Sequence, residues 1–379
     1  MRDEFGLVLI DAERFGGGLD PDAVVWRAVS DDGRVWAVKW TRRDNRFGLR
    51  LARSLAEAAT PGVPEPRLSR SGRPWAAVDG GLLSITPWVD GREAYDTGLS
   101  AGEWLALGEL LRRIHEHDPG RGLSRAAVDR GAPRRGIRRA GTHVKRRLSE
   151  VDGLVAAARA EVESGSADPA VRAFVAGWPA VRARIRALRR SASRLKRDRS
   201  PAVRVSCHGD PHLGNVVVDD AGQPWLIDFD DAVRAPKEVD LLLVDPGVLF
   251  VHRPSAADLE AFARGYGDTE VDEDRVLRFG CVRAIEDLVE TAHELLAGEE
   301  RPASAVTASA APASAAPASP VTASSADLLA LFDGILSPDG LAGIVERRLA
   351  ERPRGEPASG SLEIERPERA PRTRIANDA

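Results

Sequence analysis

A short β-rich island at residues 203–229 interrupts a chain whose pattern is otherwise helical between residues 100 and 297. The island reads VRVSCHGD, continues through a loop that contains Pro and Gly, and ends with NVVVDDAGQPWLIDFDD. Apolar runs on both sides of an Asp-Asp-Ala-Gly turn are typical of a β-hairpin. Because a hairpin reverses the chain, it returns Asp228 to the side of Asn215. The island therefore predicts polar loops that meet at one end of a small sheet.

The polar residues of these loops suit phosphoryl transfer. Asp210 follows a strand in a loop broken by Pro and Gly, where a carboxylate can accept the proton of a substrate hydroxyl. Asn215 and Asp228 offer amide and carboxylate oxygens, which are hard ligands suited to Mg²⁺. The loops therefore predict a general base beside a magnesium site.

The N-terminal part of the chain predicts a small β-rich unit with one helix. Two strand-like runs, AVVWRAV and RVWAVKW, flank an Asp-Asp-Gly turn, which is a good hairpin signal. Helical spacing follows over residues 47–60 and stops before Pro61. We predict that this unit covers residues 1–88.

The remainder predicts a larger, mostly helical unit at residues 89–300. Residues 301–325 are almost entirely Ala, Ser, Pro, Thr and Val, without large apolar groups to offset the entropy of ordering, and predict a linker or loop. A helical segment follows at residues 326–350. The tail at residues 351–379 is rich in Pro, Arg and Glu, and we expect it to be disordered.

The segment HGDPHLGN, followed by IDFD, resembles the signature of the aminoglycoside phosphotransferase and choline kinase family, which is related to the protein kinases. The segments LSITPWVDGREA and APKEVDLLLV make the resemblance closest to the spectinomycin phosphotransferase-like branch, over roughly residues 5 to 300. The resemblance implies an α+β, two-lobed protein-kinase-like fold with a small β-rich N-lobe and a larger, mostly helical C-lobe. It also implies ATP and Mg²⁺ as cofactors.

The resemblance assigns roles to the catalytic loop. Asp210 takes the place of the catalytic base, and Asn215 and Asp228 take the places of the magnesium ligands. Asp240, in the segment APKEVDLLLV, is expected to pin this loop, and His208 to make structural hydrogen bonds. A chance surface loop is the alternative interpretation of the motif.

The resemblance also assigns the nucleotide site. Lys39 ends the third predicted strand, in a chain that has four lysines beside fifty arginines, and a compact ammonium group fits between phosphates. Glu57 is the acidic residue expected to orient Lys39, and an exposed position on its helix is the alternative. The remaining nucleotide contacts are expected from the glycine run, Gly17 and Gly18, and from a backbone N–H of Trp88 or Val89.

The helical run RFGCVRAIEDLVETAHELL predicts where the acceptor binds. Glu286, Glu290 and Glu294 follow at i, i+4 and i+8 and share one helix face, with Asp287 one position away. In aminoglycoside phosphotransferases, acidic residues of the C-terminal lobe hold the cationic acceptor. We therefore predict that Glu286, Asp287 and Glu290 bind an amine-bearing acceptor, with a solvated helix face as the alternative.

The predicted activity is transfer of a γ-phosphoryl group from ATP to a hydroxyl of a small acceptor such as an aminoglycoside or an aminocyclitol. A metabolite kinase for homoserine, choline or a sugar would share every motif. Alternate residues His208, Asp210 and His212 could instead suggest the metal centre of a phosphoesterase. Basic stretches at residues 121–147 and 182–199 leave open a basic binding module.

Net charge, cysteine content and the length of apolar runs limit the functional classes that remain. The net charge of −4 and the pI of about 6.1 do not indicate a general nucleic-acid binder. Two cysteines are too few for a disulfide framework. No run approaches the roughly 18 apolar residues of a membrane span. We expect a cytoplasmic enzyme that acts on a small molecule, without nucleic acid, membrane or an obligate protein partner.

Overall fold

The computed structural model describes residues 1–15, 23–120, 140–197, 202–244, 254–297 and 324–352. In this part of the chain a small antiparallel sheet precedes a larger helical part, so the predicted α+β architecture is confirmed. The predicted linker at residues 301–325 and the tail at residues 351–379 lie almost entirely outside the described residues.

Five antiparallel strands form the N-terminal sheet, in the order β1-β2-β3-β5-β4. They are β1 (Leu9–Arg14), β2 (Ala23–Ser30), β3 (Val35–Thr41), β4 (Ala76–Val78) and β5 (Gly81–Pro87). The predicted hairpin is confirmed as β2 and β3. Lys39 lies in the central strand, opposite Val25 of β2 and Ser84 of β5. Trp36 and Val38 are buried in the core of this lobe, and the alternation of side chains along a strand puts Lys39 on the opposite face.

The helix after β3 joins the two lobes. A short helix, α1 (Arg2–Phe5), precedes the sheet, and helix α2 (Arg46–Glu57) follows β3. Helix α2 buries Leu51 and Leu55 in the same cluster as Leu110 and Leu226 of the C-terminal lobe. Gly48 allows its close approach, because a Cβ atom there would lie 1.7 Å from the carbonyl oxygen of Phe229. Helix α2 is therefore packed directly on the turn that follows Asp228.

Two small sheets carry the loops of the predicted site. Their strands are β6 (Arg92–Glu93), β7 (Val205–Cys207), β8 (Val216–Val218), β9 (Pro224–Leu226) and β10 (Val233–Ala235). Strand β7 pairs with β10, and β8 lies between β6 and β9. The second predicted hairpin is confirmed as β8 and β9, with Val216 opposite Leu226.

Helices make up most of the C-terminal lobe. They are α3 (Ala94–Thr97), α4 (Ala101–Glu116), α5 (Ala140–Ser164), α6 (Pro169–Arg197), α7 (Glu238–Leu241), α8 (Ala256–Tyr266), α9 (Glu273–Ala297), α10 (Ser325–Leu336) and α11 (Leu341–Glu351). Helix α4 begins with a capping box formed by Ser100 and Glu103. Helix α9 is central, since its buried residues Ile285 and Leu288 share one cluster with residues of α5, α6, α10 and α11.

The C-terminal helical segment does not stand apart from the lobe. The span Ser325–Glu351 is long and apolar enough for a membrane helix by composition, but it is divided at residues 337–340 into α10 and α11. Phe332 and Val345 are buried in the same core as α9. Arg184 of α6 binds Glu346 at 2.8 Å. At least one arginine of the basic stretch at residues 182–199 therefore forms an ion pair within the fold.

Candidate active site

Asp240 of α7 holds the backbone of the loop that carries Asp210. Its Oδ2 accepts the N–H of His208 at 2.8 Å, and its Oδ1 accepts the N–H of Gly209 at 2.8 Å. The Nε2 atom of His115 lies 2.9 Å from Oδ2, and its Nδ1 atom lies 2.6 Å from the hydroxyl of Tyr266. Asp240 is completely buried. The expectation that it pins the catalytic loop is therefore confirmed.

Within the described residues, His115, Cys207 and Asp240 bring their donor atoms within 4.8 Å of one another, a spacing that a metal ion could use. Burial raises the pKa of the Cys207 thiol well above its usual range, which disfavours the thiolate that a metal would need. Both oxygens of Asp240 already accept hydrogen bonds. We therefore interpret this cluster as a buried hydrogen-bond network.

His208 connects the loop to the hairpin that follows it. Its Nε2 donates to the carbonyl oxygen of Ile227 at 2.9 Å, and its Nδ1 accepts the N–H of Asp210 at 3.3 Å. Burial lowers the pKa of His208, so the neutral imidazole is favoured. The predicted structural role of His208 is confirmed. With both ring nitrogens engaged, His208 does not fit the phosphoesterase interpretation.

The carboxylate of Asp210 lies between two basic side chains. Its Oδ1 accepts from Nη1 of Arg283 at 3.1 Å, and its Oδ2 lies 3.5 Å from Nε2 of His212. Burial would raise the pKa of Asp210, but Arg283 and His212 outweigh burial and hold it well below its usual range. Asp210 is therefore ionised, as a general base must be.

Asn215 and Asp228 meet as the hairpin pattern predicts. The side-chain amide of Asn215 donates to the carbonyl oxygen of Asp210 at 2.8 Å, which orients its own oxygen as the atom that could bind a cation. The backbone oxygen of Asn215 accepts the N–H of Ile227 at 2.9 Å. This contact places Asp228, the next residue, beside the catalytic loop.

Lys39 crosses from the N-terminal sheet to the turn of Asp228. Its Nζ lies 2.9 Å from each oxygen of Asp228 and 3.0 Å from Oδ2 of Asp230. Burial alone would lower the pKa of Lys39, but the two carboxylates raise it. Burial and the neighbouring Asp228 raise the pKa of Asp230, while Lys39 lowers the pKa of Asp228 against the effect of burial. The ammonium group thus offsets part of the negative charge of this close pair of acids.

Helix α9 brings one acidic residue close to Asp210, the predicted base. Asp287 accepts from Nε of Arg283 at 2.9 Å, and Arg283 in turn binds Asp210. Its Oδ2 atom is buried without a hydrogen-bond partner. Burial raises the pKa of Asp287, although Arg283 opposes this effect. Glu290 lies 3.4 Å from Nε of Arg147 on α5.

A sequence profile described as the phosphotransferase enzyme family matches residues 11–279, which is more than half of the chain. The chain belongs to this family. The resemblance derived from the catalytic loop is therefore confirmed, as is the expectation of an ATP-dependent phosphotransferase. The match covers both lobes, including Lys39, Asp210 and Asp228.

Structural comparison supports the same fold for this phosphotransferase. Spectinomycin phosphotransferase in complex with ADP and spectinomycin is similar over 91% of this chain and 95% of its own, with a TM-score of 0.69 and 21% identity. The AMP-bound complex of spectinomycin phosphotransferase has a TM-score of 0.66 at 18% identity, over 91% of this chain and 95% of that chain. The two-lobed kinase-like fold is thus confirmed. A comparison with curated proteins finds no significant match.

The structure does not bring together all the residues that were predicted to bind the nucleotide in this phosphotransferase. Glu57 is at the end of α2, where its exposed carboxylate binds Arg53 at 2.8 Å, whereas Lys39 pairs with the acids of the catalytic turn. Gly17 and Gly18 lie outside the described residues. The N–H of Trp88 donates to the carbonyl oxygen of Val35 at 3.0 Å, so Val89 is the better of the two predicted adenine donors.

Three residues of the phosphotransferase site were missed from the sequence. Asp230 binds both Lys39 and, through its Oδ1, the side-chain amide of Asn45 at 2.8 Å. Arg283 contacts the base from a position 73 residues further along the chain. Both Asp230 and Arg283 are part of a recognisable sequence pattern. Asp230 belongs to the IDFD motif, and Arg283 precedes Asp287 at the i, i+4 spacing of a helical ion pair. No sequence pattern marks Asn45.

Proposed function

We propose that this enzyme transfers the γ-phosphoryl group of ATP, with Mg²⁺, to a hydroxyl of a small, amine-bearing acceptor such as an aminoglycoside or the aminocyclitol spectinomycin. The observation that carries the proposal is the convergence of four side chains, with three different roles, around the loop of Asp210. Asp210 offers the base, Asn215 and Asp228 offer oxygen ligands, and Lys39 offers a cation. Phosphoryl transfer needs these groups and little further covalent chemistry.

The step that we assign to the chain itself is proton transfer. Asp210 accepts the proton of the acceptor hydroxyl at its Oδ2 atom, because Arg283 occupies Oδ1. The acceptor oxygen then forms a bond to the γ-phosphorus, the bond between that phosphorus and the β,γ-bridging oxygen breaks, and ADP leaves. The proton finally passes from Asp210 to solvent, which restores the carboxylate.

The residues present fit a magnesium ion. Asn215 and Asp228 supply hard oxygen donors on adjoining segments, as Mg²⁺ prefers, and leave room for water and phosphate oxygens as further ligands. Asp228 and Asp230 together carry more negative charge than Lys39 compensates. A bound Mg²⁺ would neutralise charge on the phosphates. We assign Asn215 and Asp228 as its ligands.

We expect Lys39→Ala to reduce kcat/KM for ATP, and Lys39→Arg not to restore it. In our proposal Lys39 moves its ammonium group between the catalytic turn and the nucleotide phosphates, and a planar guanidinium does not fit that position. Steady-state kinetics with varied ATP measure the effect.

The matched control for this prediction is Lys196→Ala, which removes an exposed lysine from α6. It should leave kcat/KM for ATP unchanged. Thermal melting of each variant verifies that the proteins are folded. Full activity of Lys39→Arg would mean that any cation suffices, and the proposed phosphate contact would be wrong.

Two acidic side chains of α9 close to Asp210 support a cationic acceptor. Asp287 has a buried oxygen without a partner, and Glu286 adds a second negative charge close enough to raise the pKa of Arg283. Spectinomycin phosphotransferase, which is similar to this chain, is known in complex with spectinomycin, a compound with two secondary amines.

We expect Asp287→Asn to raise the KM for spectinomycin by about tenfold, since a hydrogen bond to a charged group contributes about 1.5–3 kcal/mol. The KM for ATP should stay unchanged. Glu286→Gln should have a smaller effect. Glu290→Gln removes a charge from the same helix and should have the smallest effect, because Arg147 lies beside Glu290. Unchanged KM values for spectinomycin in all three variants would exclude α9 from acceptor binding.

The acceptor itself is tested by ADP release from the wild-type enzyme with aminoglycosides, aminocyclitols, choline, homoserine and sugars. Mg²⁺-dependent release with an aminoglycoside or spectinomycin supports the proposal. Release with homoserine, choline or a sugar, and with no aminoglycoside or aminocyclitol, would make the enzyme a metabolite kinase. A cytoplasmic location stays a prediction.

A further inference from the structure

Arg283 of α9 binds both the proposed base and an acidic residue one turn further along its own helix. Its Nη1 donates to Oδ1 of Asp210 at 3.1 Å, and its Nε donates to Oδ1 of Asp287 at 2.9 Å. The two bonds use different nitrogens of one planar group. The guanidinium therefore joins two carboxylates that would otherwise repel each other.

The charges around Arg283 hold it in place. Although burial alone would lower its pKa, Asp210, Asp287, Glu286 and Asp231 raise the pKa of the guanidinium. Asp287 also accepts a hydrogen bond from Nε of Arg283 at 2.9 Å. The guanidinium thus retains a carboxylate partner while Asp210 exchanges a proton with an acceptor.

Arg283 also stands on a rigid element. The neighbouring residues Ala284, Ile285 and Leu288 of α9 are buried in the core of the C-terminal lobe. The backbone of the catalytic loop has its own anchor, since Asp240 accepts the N–H groups of its first two residues. The loop backbone and the base side chain are therefore held by separate residues.

We propose that Arg283 is a positioning residue that fixes the side chain of Asp210 and reserves one of its oxygens for the acceptor. This inference rests on the proposed function of Asp210 as the base. Arg283 occupies Oδ1, and among the described residues Oδ2 has the longer contact of 3.5 Å to His212. Oδ2 is thus the oxygen that meets the acceptor hydroxyl. A lysine would have to reach both carboxylates from a single nitrogen on a flexible stem, whereas the rigid guanidinium uses two separate nitrogens.

The test compares Arg283→Ala with the wild-type enzyme in two reactions, Mg²⁺-dependent ATP hydrolysis with water as acceptor and phosphorylation of spectinomycin. We expect kcat to fall by about 10²-fold, the cost of a small misplacement of a catalytic group, with no change in the KM for ATP. Added guanidinium chloride at low millimolar concentration should restore kcat of Arg283→Ala in a dose-dependent way. Arg278→Ala, from the same helix, is the matched control and should show neither loss nor rescue.

Arg283→Lys is the second variant, because it keeps the charge and protects the fold if Arg283→Ala is unstable. We expect its kcat to stay low with an unchanged melting temperature. Wild-type activity of Arg283→Lys, or a loss in Arg283→Ala that guanidinium does not restore, would overturn the positioning role. A wild-type enzyme without any Mg²⁺- and ATP-dependent turnover would instead overturn the proposed function.

Discussion

Asp210→Asn should lower kcat by about 10²–10⁴-fold, the usual contribution of a general base. The amide keeps the shape of the carboxylate and can still accept a hydrogen bond from Arg283. It cannot take a proton from the acceptor. The KM for ATP should remain close to the wild-type value, because Lys39, Asn215 and Asp228 are unchanged.

ADP release at saturating ATP measures this effect, and binding of ADP by calorimetry verifies that the nucleotide site is intact. Asp220→Asn is the matched control, since Asp220 is an exposed acid in the turn between β8 and β9. It should retain wild-type kcat. Near-wild-type turnover of Asp210→Asn on any acceptor would mean that another group is the base.

Asp228→Ala should abolish activity and remove the dependence of nucleotide affinity on Mg²⁺. The residue has two roles in our proposal, as a metal ligand and as the partner of Lys39 at 2.9 Å. Without Asp228, Lys39 retains Asp230 at 3.0 Å, so we expect the fold to survive. Calorimetric titration of ADP with and without Mg²⁺ distinguishes a loss of metal binding from unfolding of the protein.

The corresponding control is Asp220→Ala, which removes a carboxylate from the same hairpin without touching the site. Its ADP affinity should increase with Mg²⁺ as in the wild type. If Asp228→Ala keeps the same Mg²⁺ dependence, the metal ligand lies elsewhere and the assignment of Asp228 is wrong.

Local patterns were enough to predict the two lobes, both hairpins and the catalytic loop. Each depends on residues close together in the chain, such as the Asp-Asp-Gly turn between β2 and β3. The roles of Asp240 and His208 followed from a family resemblance at the same loop. The backbone contacts between Asp240 and the loop bear this out.

Contacts between distant segments could not be predicted in this way. Glu57 was expected beside Lys39 from its distance along the chain, but a helix turns its residues through 100° each, and the packing of α2 directs Glu57 toward Arg53. Binding of the acceptor by Glu286, Asp287 and Glu290 of α9 stays a prediction. The tertiary structure adds that Arg283 connects Asp287 to Asp210, a contact that the sequence pattern did not predict.

The sequence by itself therefore determined the family and fold of this protein, a kinase-like phosphotransferase. It also predicted Asp210 as the base, Asn215 and Asp228 as the metal ligands, and Lys39 as the phosphate contact. Only the tertiary structure decided which charges surround them. The placement of Asp230 and Arg283 depends on how α2 and α9 pack on the catalytic loop, and packing is set by the whole core. Short-range motifs contain Asp230 and Arg283 but do not specify their long-range partners, which is why the contacts with Lys39 and Asp210 emerged only from the folded chain.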